Sequence, residues 1–140
     1  CEMNKKEYVK TWKPFIAWIV GFPIISIIIS LFLNVSDKIS TLIMLLITVI
    51  SLYILMLIIY KGEYVYWING GPTYEEAKSG GSKRRKRYAK AHLDLFSKMT
   101  LGCLGYGFIS LLFNFSMWLD IIIISGAIIV TALATIPIKF

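Results

Sequence analysis

Apolar residues gather into four long runs, separated by short polar stretches and one long polar loop. The runs cover about residues 14–33, 40–60, 99–118 and 121–138, and no charged residue lies inside them. A helix of roughly 20 residues, rising about 1.5 Å per residue, crosses a hydrocarbon core of about 30 Å. Lipid offers the backbone no hydrogen-bonding partner, and the runs lack the alternation of barrel strands. We therefore predict an all-α integral membrane protein with four transmembrane helices.

Two short connections suggest how these helices pair. The first run turns directly into the second and the third into the fourth, so the sequence predicts two helical hairpins joined by a cytoplasmic loop at 61–98. Residues 29–36 match residues 109–116 at five of eight positions. This match leaves two readings open, a duplication giving parallel repeats about the membrane normal, or chance similarity between Ile/Leu/Ser-rich stretches. In either case we expect residues 1–140 to form a single membrane domain.

Composition supports the membrane assignment. Hydrophobic residues make up 57% of the chain and charged residues 16%, whereas globular domains average about 45–50% and about 25%. A soluble domain of this size could not bury so much apolar surface, which excludes the soluble globular class. The richness in Ile, Lys, Asn and Tyr is typical of an AT-rich bacterial genome.

The distribution of cations predicts the orientation. If the chain crosses four times, fourteen of the 15 lysines and arginines fall on one side and Lys38 alone on the other. The positive-inside rule then places both termini and the long loop in the cytoplasm of a cell-membrane protein. Cys1 and Glu2 precede Met3, which resembles a natural start, so we interpret them as a remnant of processing. A lipidated Cys1 is the alternative.

The loop contains helix signals of its own. Thr73 followed by Glu76 is a capping-box pattern and predicts a short helix from Tyr74 to about Lys78. Ser82 is placed to cap a longer helix, which we expect to continue into the third run because nothing interrupts it. Its apolar positions recur at helical spacing, so this stretch is expected to lie along or cross the membrane interface.

Five consecutive cations are the sharpest local feature of the loop. They lie before the third run and predict a contact with anionic lipid headgroups or with a partner. Each cation would contribute about 1 kcal/mol of attraction near a charged leaflet. The alternative is that these cations only fix the orientation of the third helix in the membrane and bind no specific ligand. Nucleic-acid binding is not expected, because no stacking platform or groove-reading helix accompanies the run. The five residues are Lys83, Arg84, Arg85, Lys86 and Arg87.

Small and weakly polar residues in the runs predict contact faces. Stripes of small residues allow close approach of helices in lipid; they comprise Gly102, Cys103, Gly105 and Gly107 in the third run and Ala127, Thr131 and Thr135 in the fourth. A second set could instead line a narrow pore in an oligomer, namely Ser26, Ser30, Ser110 and Asn114.

No motif for catalysis, metal binding or a cofactor accompanies these features. His92 is the single histidine, and Asp120 is expected in the outer turn, which leaves the runs without Asp, Glu, Lys, Arg or His. Proton-coupled pumps and cation carriers usually need one there. We therefore expect a non-enzymatic protein that acts through protein–protein contacts, as an accessory, regulatory or immunity-type subunit. Its partner would be another membrane protein or a second copy. The alternative is a small oligomeric channel or transporter for a neutral or weakly hydrated solute.

Overall fold

The computed structural model describes residues 7–140, so the interpretation of Cys1 and Glu2 lies outside the described residues. This part of the chain is all-helical and contains no strand. Four of its helices are long and apolar enough to cross a membrane, which confirms the predicted number and a multi-pass architecture. The elements are α1 (Lys13–Phe32), α2 (Asp37–Gly62), a 3₁₀ turn (Val65–Trp67), α3 (Tyr74–Ser79), α4 (Gly81–Phe113) and α5 (Met117–Thr135).

Three of the four long helices form the core. α2 packs most extensively on α4, and α5 packs against both. The buried residues at their common centre include Leu42 and Val49 of α2, Phe96 and Cys103 of α4, and Ile124 of α5. Among the helices of the described chain, α1 packs on α2 alone, so most of its apolar side chains stay exposed to the surroundings.

α4 is longer than a bilayer requires. Its 33 residues rise about 50 Å, which exceeds a hydrocarbon core of about 30 Å by more than a dozen residues. The extra turns pack against the end of α2, the 3₁₀ turn and α3. A second buried cluster forms there, and it includes Ile59, Val65, Ala77, Tyr88 and Ala89.

The start of α4 differs from the expectation. The capping box of α3 is present, with Glu76 N–H donating to the Thr73 hydroxyl and the Glu76 carboxylate accepting from Thr73 N–H. Ser82, in contrast, does not cap α4. Gly81 has a φ of +75°, which lets the chain turn directly from α3 into α4, so the helix begins before Ser82. The Ser82 hydroxyl instead donates to Glu63 Oε1 at 2.6 Å.

The turn between α4 and α5 also lies earlier than the hydropathy pattern indicates. α4 ends at Phe113 rather than near Trp118, because Asn114 takes the left-handed conformation that closes a helix. α5 begins at Met117, and the Ser116 hydroxyl accepts the Leu119 N–H at 3.3 Å. Asp120 therefore lies within the first turns of α5. The prediction that Asp120 lies in the turn before the fourth helix is wrong, because the helix already includes it.

Candidate functional site

The predicted small-residue stripe of α4 is divided between two faces of the helix. Cys103 and Gly107, four residues apart, face the core, and a Cβ added at Gly107 would lie 2.9 Å from Leu46 Cδ1 of α2. Gly102 and Gly105 point the other way, and among the described residues nothing lies within 4 Å of a Cβ built on either. Half of the stripe thus holds the fold together, and half is left open.

The open half belongs to a continuous apolar surface, which we call the α4 outer face. It is formed by Leu101, Gly102, Gly105, Phe108 and Leu112. The three large side chains are 69%, 65% and 65% exposed, and the two glycines leave a shallow trough beside them. Backbones of membrane helices approach most closely where glycine removes the side chain, so this surface has the form of a helix-docking face.

The stripe on α5 contributes less. Ala127 packs against the core, and Thr131 is half-buried. The Thr135 hydroxyl donates to the Ala132 carbonyl of its own helix at 2.6 Å, which stabilises no contact between helices. All three residues are partly buried, and their role as one contact face stays a prediction.

The four predicted pore-lining residues are not brought together. Ser26 is buried on α1, whereas Ser30 of the same helix is exposed. Ser110 is buried between α4 and α5, and Asn114 lies exposed in the turn, where its Oδ1 accepts from Lys38 Nζ at 2.8 Å. Because α1 contacts neither α4 nor α5 within residues 7–140, these groups line no common path in one chain.

A buried hydrogen-bonded cluster around one acidic residue, Asp120, joins α4 and α5, and we call it the acidic cluster. Asp120 is 0% exposed, and its Oδ1 accepts from Tyr106 Oη at 2.8 Å and from Ser110 Oγ at 2.6 Å. Its other oxygen, Oδ2, has no hydrogen-bond partner in the part of the chain that the structure describes. The sequence pattern missed this cluster, because apolar residues continue across the turn and place Asp120 outside the helix.

The five consecutive cations also separate into two groups. Arg85 is buried, with Nε 2.7 Å from Glu63 Oε2, Nη1 2.8 Å from the Ala77 carbonyl, and its guanidinium 3.9 Å from the centre of the Tyr8 ring. It follows the same helical stripe as Tyr88, a signal already present in the sequence. The other four cations are exposed, namely Lys83, Arg84, Lys86 and Arg87.

An aromatic group beside the buried Arg85 fixes the N-terminal segment to the loop. Tyr8 Oη donates to the Glu63 carbonyl at 2.7 Å, and Tyr66 Oη donates to the Thr11 carbonyl at 2.8 Å. Trp67 Nε1 donates to the same Thr11 oxygen at 3.1 Å. Burial raises the pKa of the Tyr8 phenol, so it stays protonated and keeps donating at neutral pH. These hydrogen bonds hold the N-terminal segment against the loop.

Residues 7–140 hold no group of three or more His, Cys, Asp or Glu side chains that could bind a metal ion. No protein family, curated protein or solved structure matches the chain. The features from which a function can be argued are therefore the α4 outer face, the acidic cluster and the exposed cations.

Proposed function

We propose that this protein is a non-enzymatic, multi-pass protein of the cell membrane that acts through protein–protein contacts, as an accessory, regulatory or immunity-type subunit. The observation that carries the proposal is the α4 outer face. On this face Gly102 and Gly105 have open space beside them, whereas Cys103 and Gly107 of the same helix are packed against the core.

The partner in this proposal is a transmembrane helix of another membrane protein or of a second copy. Lipid tails are as apolar as leucine, so apolar area alone does not drive helices together in a bilayer. Association depends on close van der Waals packing, which a trough at Gly102 and Gly105 between exposed Leu101 and Phe108 would provide.

The orientation proposed from the charges places both termini and the loop in the cytoplasm, with the helices arranged as two hairpins. In that orientation the exposed cations at 83, 84, 86 and 87 lie near the inner leaflet. Each would contribute about 1 kcal/mol of attraction to anionic headgroups. Arg85 is excluded from this role, because its guanidinium is held by Glu63 and Ala77.

The test compares two glycines at which an added Cβ would meet no atom of the described chain within 4 Å. Gly105→Leu fills the trough of the α4 outer face, whereas Gly21→Leu adds the same side chain on α1, away from that face. We expect the wild-type protein, extracted gently from native membranes, to carry a partner chain or a second copy at fixed stoichiometry. Gly105→Leu should lose it and Gly21→Leu should keep it. Equal retention in both variants would overturn the assignment of the face.

A second candidate is a small oligomeric channel or transporter for a neutral or weakly hydrated solute. The buried Asp120 favours it, since ionisable residues inside spanning helices often mark transport pathways. A pathway would have to form between copies, because Ser26 and Ser110 do not face each other in one chain. Replacing Asn114 and Ser110 with Leu should then abolish flux into liposomes, and unchanged flux would contradict this function.

A further inference from the structure

A large groove separates α1 from α2. Its volume is about 510 Å³, and every residue that lines it belongs to one of these two helices. The helices touch where Trp18 Nε1 donates to the Ser51 carbonyl at 2.9 Å. Beside that contact Ala17 and Gly21 leave a gap, and no atom of the described chain lies within 4 Å of a Cβ built on Gly21.

The walls of the groove are apolar along its length. Ile47, Ile50 and Ile54 of α2 face Phe22 and Ile25 of α1 across it. Its volume falls within the range of about 300–1,000 Å³ typical of small-molecule sites. In a bilayer such a groove fills with something apolar, because an empty gap forgoes dispersion contacts on both walls.

Two lysines continue the helix faces that line the groove, just beyond one of its ends. Pro14 and Ile58 line that end. Lys13 directly precedes Pro14, and Lys61 follows Ile58 by three residues, so it lies on the same side of α2. Both lysines are exposed, and no acidic residue lines the groove within the described chain. The nearest acidic residue in sequence, Glu63, is already paired with Arg85.

We propose that this groove binds one anionic phospholipid, with an acyl chain between α1 and α2 and the phosphate against Lys13 and Lys61. The apolar walls match the chain, and the two ammonium groups match the headgroup. The charged end lies at the side assigned to the cytoplasm, where anionic lipids are concentrated. The site is separate from the α4 outer face, so it does not depend on the proposed protein partner.

The test uses the purified full chain in non-ionic detergent, titrated with dioleoyl phosphatidylglycerol or dioleoyl phosphatidylcholine and followed by native mass spectrometry. We expect one tightly bound phosphatidylglycerol and a preference over phosphatidylcholine of roughly 30-fold, since two lysine contacts amount to about 2 kcal/mol. The double variant Lys13→Gln/Lys61→Gln should lose that preference. Lys98→Gln, an exposed lysine on α4 at the same predicted leaflet, is the matched control and should keep it.

Two further variants test the groove itself. Gly21→Leu should abolish the tight binding of phosphatidylglycerol by filling the gap, whereas Gly105→Leu should leave that binding intact. Equal affinity for the two lipids in the wild type, or unchanged binding by Gly21→Leu, would overturn the proposal. So would a second protein chain occupying the groove in place of lipid. Because the lysine variants change only exposed side chains, they keep the test decisive even if Gly21→Leu folds poorly, and the partner assay on Gly105→Leu reports separately on the proposed function.

Discussion

Replacing Arg85 by methionine should destabilise the fold, whereas the same change at Arg87, two residues further along, should not. The Arg85 guanidinium pairs with Glu63 at 2.7 Å, donates to the Ala77 carbonyl and lies over the Tyr8 ring. Arg87 is exposed on the same helix. Both changes remove one positive charge from the same run, so a general effect of charge would be equal in the two variants.

The magnitude follows from burial. The Arg85 and Glu63 side chains are 9% and 16% exposed. Breaking a buried ion pair by removing one partner costs about 3–5 kcal/mol, because the remaining charge is left without compensation. The partial exposure of Glu63 places the expected loss at the lower end, about 3 kcal/mol, or more than 100-fold in the folding equilibrium. Arg87→Met should stay within about 0.5 kcal/mol of the wild type.

The assay is reversible unfolding in mixed micelles with increasing denaturing detergent, followed by circular dichroism. The double variant Arg85→Met/Glu63→Gln should lose at least about 1 kcal/mol less than the sum of the single variants, because residues in one ion pair are coupled. Equal stability of Arg85→Met and Arg87→Met would refute the reasoning. It would place Arg85 with the exposed cations, where its loss weakens lipid binding and leaves folding unchanged.

Three further results are expected in the same unfolding assay or by NMR. Ser110→Ala removes a donor from the buried acidic cluster and should cost about 1–3 kcal/mol, whereas Ser26→Ala, whose buried hydroxyl has no partner in the described chain, should be nearly neutral. Gly107→Leu should cost about 1–3 kcal/mol by overpacking the core; no loss would contradict the close contact with α2. Hydrogen bonds from the Thr73 backbone and hydroxyl lower the pKa of Glu76, so the stabilisation they provide is present above the ordinary glutamate pKa and lost as pH falls through the lowered one. Thr73→Val should raise the pKa of Glu76, measured by carboxyl chemical shift.

The number of spanning helices was predictable because a helix must present about 20 mainly apolar residues to cross the bilayer. The residues at which the helices end were harder to predict. Phe115, Trp118 and Leu119 continue the apolar pattern across the turn after Asn114, and hydropathy carries no signal of a left-handed residue. The displaced boundary concealed Asp120, whose burial depends on that turn.

The arrangement of the helices left weaker traces in the sequence. α1 is apolar on all sides, so its composition does not specify which face packs or that, among the helices of the described chain, it packs on α2 alone. Arg85 was predictable in part, because it shares a helical stripe with Tyr88 and His92. Five consecutive cations nonetheless favour the interpretation that all five side chains are exposed. Gly102 and Gly105 could be separated from Cys103 and Gly107 by the 3.6-residue period, but which pair faces the core required the packing of α2.

The measurement that tests the central claim most directly is the mass of the complex extracted gently from native membranes, with every co-purifying chain identified. It should be made in parallel on the wild type, Gly105→Leu and Gly21→Leu. The account predicts a defined partner chain or second copy with the wild type and with Gly21→Leu, and its loss from Gly105→Leu. Recovery of the wild-type protein alone, as a monomer, would contradict the claim that it acts through protein–protein contacts.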